Sequence, residues 1–139
     1  MMKEIEEFFS AYKNAVWQKN ASALLKLYDA EVVQFDMWDR GYYSTLQEWA
    51  PEIGNWLGSL GEEKVKVDFE MIKIRQSDSI GFASGLIKFQ AISSQGTILR
   101  SMKNRITIGF SRFEEGWKVV HQHISAPVAS ENLTAILDL

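Results

Sequence analysis

The chain has 139 residues, 46% of them hydrophobic and 24% charged, with a formal net charge of −3 and no cysteine. That length suits one globular domain over residues 1–139 with a sizeable core. The acidic balance lacks the basic footprint of a nucleic-acid partner, and the missing cysteines exclude disulfides, thiolate metal sites and cysteine nucleophiles. The opening MMKEIEEFF turns acidic at once, and no run approaches the ~20 apolar residues of a membrane span. The expectation is a cytoplasmic protein without a membrane partner.

Ile5, Phe8, Phe9, Tyr12 and Val16 recur at helical spacing and predict an amphipathic helix over about residues 3–19. Asn20 can cap a short second helix carrying Leu24, Leu25 and Tyr28. Glu31–Trp38, rich in β-branched and aromatic residues, reads as a strand. Ser44 with Gln47 has the form of a capping box opening a helix that buries Leu46, Trp49, Ile53, Trp56 and Leu57. Pro51 either kinks that helix or delays its regular part.

From Lys64 the period becomes two: Val65, Val67 and Phe69 alternate with Lys66, Asp68 and Glu70. The apolar phase slips at Met71–Ile72, where a bulge would restore one buried face. Further strands are expected over about residues 80–92, 98–113 and 116–125, broken by the hairpin sequences SSQG and EEG. Segregated helices and strands argue for an α+β fold, with a curved antiparallel sheet covered on one face by helices.

That order, with three local patterns, resembles the nuclear-transport-factor-2-like superfamily and its SnoaL-like branch. The patterns are LLKLYDAEVVQFD (Leu24–Asp36), NRIT followed by GWKVVH, and HQHIS with Pro127. The closing strand is also similar to the association (hub) domain of calcium/calmodulin-dependent kinases. The resemblance implies a cystatin/NTF2-like cone, in which three N-terminal helices pack on the concave face of the sheet. Ketosteroid isomerase, an enzyme of the superfamily, offers a closer comparison. An ungapped count from the first helix puts Tyr12 where its oxyanion-binding tyrosine stands and Asp36 where its proton-shuttling carboxylate stands. Its protonated aspartic acid on a late strand has no counterpart, because residues 98–113 contain no acid.

Strict alternation places Trp117, Val119, His121, His123 and Ser125 on one face, toward the helices. His121 and His123 are then either acid–base or ligand-binding groups, or buried residues satisfied locally. Two histidines at i and i+2 could chelate a metal, but a third ligand is needed and no spacing demands that Asp36 supply it, so no metal is expected. Asp36, between Phe35 and Met37 and near Trp38, has apolar neighbours that favour a raised pKa and a role as base. Arg105, if inward, needs Asp36 or a ligand carboxylate as its partner. Tyr12 is a core residue or a ligand donor, and Trp38, Trp49 and Trp56 line a pocket mouth or the core. Surplus aromatics also suit an outer sheet face covered in a homodimer.

No GxSxG elbow, phosphate loop or dinucleotide fingerprint occurs, so no cofactor is expected. The resulting expectation is a protein that binds a small apolar carbonyl or carboxylate compound. Asp36, His123 and Tyr12 would supply cofactor-free isomerase, dehydratase or cyclase chemistry. Arg105, His121, the three tryptophans and Ser125 would hold the ligand. The alternative is a non-catalytic binding or hub-like module.

Overall fold

The computed structural model describes residues 2–139. Helix α1 (Glu7–Trp17) starts later than its apolar spacing suggests. The Glu7 carboxylate turns back to accept the amides of Lys3 (2.8 Å) and Glu4 (2.6 Å), holding those residues in a turn. Asn20 caps α2 (Ala21–Leu25) as expected, its side chain accepting the Ala23 amide at 3.0 Å. Strand β1 spans Tyr28–Phe35, and the short β2 spans Tyr42–Tyr43.

Helix α3 (Leu46–Gly58) opens on a capping box one residue beyond the expected pair. The Thr45 hydroxyl takes the Glu48 amide (3.2 Å), and the Glu48 carboxylate accepts the Ser44 amide (3.3 Å) and hydroxyl (2.8 Å). Pro51 lies inside this helix, which continues through it.

Four long strands follow: β3 (Lys64–Gln76), β4 (Ile80–Ile92), β5 (Ile98–Phe113) and β6 (Gly116–Ser125). The last three coincide with the expected spans. The bulge expected at Met71–Ile72 is present, with Glu70 opposite Leu86 and Lys73 opposite Ser84, and Met71 at φ +56°.

The sheet corrects one expectation. It is neither curved into a cone nor closed, but an open six-stranded sheet of order β2-β1-β6-β5-β4-β3 with free edges at β2 and β3. It is also mixed rather than antiparallel, because β1 and β6 pair in parallel. The physical reason is connectivity: the whole β2–β5 segment is the crossover that a parallel pair requires. The third helix is part of that crossover, so it lies within the sheet's sequence rather than ahead of it.

Cross-strand register defines two faces. One row of the inner face runs Ala83, Ile108, Gln122, Gln34, Tyr43. The neighbouring outer row runs Ser84, Thr107, His123, Phe35, Tyr42. The core fills the space between the inner face and the helices. Phe8 of α1 is its hub, fully buried, with ring centroids of Tyr12 and Phe110 at 5.6 Å, Tyr28 at 6.2 Å and Phe69 at 6.4 Å. Gly81 lets α1 approach the sheet: a Cβ there would lie 2.7 Å from the Ile5 Cδ1. Truncating Phe8 to alanine should cost about 3–5 kcal/mol, the range for a buried aromatic whose site cannot collapse. Urea denaturation measures it, and a loss below about 1 kcal/mol would show that Phe8 does not organise the core.

Candidate functional site

A cavity of ≈ 710 Å³ opens between α3 and the part of the inner sheet face that α1 leaves uncovered. Its walls are aromatic: Tyr12 from α1, Trp49 and Trp56 from α3, Tyr43 from β2, Phe89 from β4, and Trp38 at the mouth. Trp49 is buried against Tyr28 (4.9 Å between rings), Trp56 meets Phe89 edge-on at 6.0 Å, and Trp38 is 53% exposed. Among the described residues no group of three metal-ligating side chains is present, and no helix is long and apolar enough to cross a membrane.

The C-terminal segment completes one wall. Strand β6 ends with Ser125 opposite Arg105, leaving the β5 backbone beyond that point without its neighbour. The Leu137 carbonyl accepts the Lys103 amide there (2.8 Å), and Leu137 thereby borders the cavity.

Asp36 lines the cavity just past the end of β1. Its amide donates to the Gly41 carbonyl (3.0 Å), and its Oδ1 accepts the Trp38 amide (3.3 Å), which fixes the turn into β2. Tyr12 shares this cavity. Burial, and then the charge of Asp36, hold its hydroxyl well above the ordinary tyrosine pKa. Burial, and then the neighbouring Tyr12, likewise raise Tyr28, whose hydroxyl donates to Gln122. Tyr43 is raised by burial and then by Glu52 and Asp36. These acids therefore set a negative field in which the buried phenols remain donors.

The histidines lie elsewhere. Gly109 pairs with His121 and Phe110 with Val119, so Val120 is an extra residue in β6. Before this bulge Trp117 and Val119 face the core; after it Gln122 and Ile124 face the cavity, and His121 and His123 turn to the outer face. There they flank the Phe35 ring at 4.8 Å and 5.3 Å. His121 Nδ1 donates to the Val33 carbonyl at 2.8 Å. Arg105 and Ser125 are also outward, joined by a 3.1 Å bond from Nε to Oγ. Arg105 thus neither pairs with Asp36 nor enters the cavity, and the structure separates these four residues from Asp36, Tyr12 and the tryptophans.

In their place the inner face carries polar residues that the candidate set omits. Gln34, Gln122 and Asn104 are at most 1% exposed and border the cavity. Tyr28 donates to the Gln122 Oε1 at 2.6 Å. Gln34 Nε2, Trp49 Nε1 and both amide atoms of Asn104 have no hydrogen-bond partner within the described protein. Asn104 was recoverable from its phase, which it shares with Ile106, Ile108 and Phe110. Gln122 required recognition of the bulge.

The raised tyrosines fix the sign of an alkaline effect. Above about pH 10 unfolded tyrosines release protons that folded Tyr12 and Tyr28 retain, so stability should hold below that pH and fall above it. Each contributes a slope of up to about 1.4 kcal/mol per pH unit. Denaturant titrations across this range should show a shallower decline for Tyr12→Phe. An unchanged slope would mean that Tyr12 ionises normally.

Solved structures of similar shape share the fold at low identity. An NTF2-like protein of unknown function from Pseudomonas putida KT2440 matches at TM-score 0.85 and 18% identity, covering 97% of this chain and 92% of its own. A protein from Xanthomonas campestris described as a calcium/calmodulin-dependent protein kinase II association domain matches at 0.74 and 16%, covering 88% and 85%. A protein from Catenulispora acidiphila, solved in complex with S-DNPA, matches at 0.72 and 13%, covering 88% and 90%. No curated protein sequence matches. The model of the SnoaL-like domain matches residues 5–129, and the chain belongs to this family within the NTF2-like superfamily.

Proposed function

We propose that the cavity binds a small, largely apolar carbonyl compound and that Asp36 and Tyr12 move protons on it without a cofactor. The observation that carries this reading is their shared cavity, in which the Asp36 charge helps keep the Tyr12 hydroxyl protonated. The similarly folded Catenulispora acidiphila protein in complex with S-DNPA is a precedent for a bound ligand. Asp36 takes a proton from the carbon beside the carbonyl, and the electron pair moves onto oxygen. Tyr12 donates a hydrogen bond to that oxyanion. Return of the proton to another carbon gives an isomer, with no oxidant or reductant needed. His123 and Arg105 have no part in this scheme, since both face away from the cavity.

The test is deuterium exchange at the α-carbon of 2-tetralone in heavy water, followed by NMR. Asp36→Asn should slow protein-catalysed exchange by roughly 10²–10⁴-fold with little change in melting temperature, and His123→Ala should exchange at the wild-type rate. Equal exchange by Asp36→Asn and wild type would remove Asp36 from the chemistry.

A second reading concerns assembly. Phe35 (39% exposed), Tyr42 (52%) and Phe82 (50%) lie in adjacent rows of the outer face beside Val33 and His121. A second copy of the chain would cover this apolar patch. Light scattering should give a dimer mass for wild type and a monomer for Phe82→Asp. A wild-type monomer at all concentrations would exclude the reading.

A further inference from the structure

The inner face of β5 holds a group that proton transfer does not use. Asn104 is fully buried, borders the cavity, and has neither its Nδ2 donor nor its Oδ1 acceptor engaged by the described protein. Because both ends are free, turning the amide over leaves the same two groups unmet. Its cross-strand neighbour is Ile87, and the adjacent inner pair is Phe89 with Met102, beside Trp56. The primary amide therefore sits in an apolar, flat-walled setting, where an unmet donor and acceptor are most costly.

The charged cavity-lining residues are Asp36, Asp39, Glu52 and Arg100. Arg100 is engaged by Glu63 at 2.7 Å. The remaining three are acids, so among the described lining residues an anionic ligand meets a surplus of negative charge.

We propose that Asn104 is a specificity-determining residue that selects an uncharged, planar ligand bearing an adjacent donor and acceptor, such as the N–H and C=O of a cis-amide. This rests on the cavity being a ligand site. A carboxamide matches such an edge with two parallel hydrogen bonds, the geometry by which asparagine reads a donor–acceptor edge of adenine. The aromatic walls take the two faces of the ring. A carboxylate, expected from sequence as one ligand option, fits neither the charge nor the donor requirement.

The probes are 2-quinolone, N-methyl-2-quinolone, naphthalene and 2-naphthoate, titrated by ligand-observed NMR. Wild type should bind 2-quinolone at least tenfold more tightly than its N-methyl form, which has lost the donor, and bind 2-naphthoate weakest. Asn104→Leu should erase the preference between the two quinolones and leave naphthalene binding intact. Its melting temperature should be at or above wild type, because an apolar isostere replaces an unmet buried amide. Equal binding of both quinolones by wild type overturns the assignment without needing the variant, and persistence of the preference in Asn104→Leu does so too. Failure of every probe, naphthalene included, would overturn the ligand-site reading itself. Binding without discrimination would overturn only the role of Asn104.

Discussion

One extra residue in β6 decides which chemistry this fold can offer. Side chains on a strand alternate, so inserting one residue exchanges the two faces for everything beyond it. Val120 is that residue. Upstream, Trp117 and Val119 complete the core beneath Phe110. Downstream, the exchange puts Gln122 and Ile124 into the cavity and sends His121 and His123 outward. Without the bulge, two titratable imidazoles would face Asp36 and Tyr12. With it, Asp36 and Tyr12 are left as the candidate acid–base pair and the histidines become supports for Phe35.

The cavity's polarity follows from the same exchange. Its interior groups are amides, phenols and indoles, all neutral, while its acids stand around them and Arg100 is tied to Glu63. Under the proposed ligand reading, such a site would discriminate by hydrogen-bond pattern rather than by charge. A neutral donor left unpaired in low dielectric is costly, and that cost is what makes the wrong ligand distinguishable. Burial, and then the charge of Asp36, reinforce this by keeping Tyr12 in its donating form.

Much of the architecture was legible in sequence because it is written locally. The spans of β4, β5 and β6 followed from alternation and the SSQG and EEG turns, and the β3 bulge from the apolar doublet Met71–Ile72. The doublet Val119–Val120 carries the same signal, and strict alternation carried through it puts both histidines on the wrong face. Asn104 and Arg105 show the complementary lesson. Neighbours on a strand take opposite faces, and the apolar phase of Ile106, Ile108 and Phe110 favours the asparagine. The parallel β1–β6 pairing was not legible, since it joins Val33 to His121 across most of the chain and no local pattern encodes that partner.

The remaining question is how one sheet face carries both a packed core and a cavity. Under α1 the inner face is filled by Phe8 and Ile5 against small residues, Gly81 and Ala83, so helix and sheet meet closely. Further along, α3 packs beside β1 instead, and its large Trp56 reaches Phe89 on β4 across the gap. A wide side chain spanning two elements props them apart where a small one would let them collapse. Bulk at Trp56 and Phe89 thus works as a spacer, and the polar groups of Gln34 and Asn104 make collapse costlier still by resisting burial against apolar atoms. The cavity is a consequence of where this sequence places its large and polar residues on an otherwise ordinary inner face.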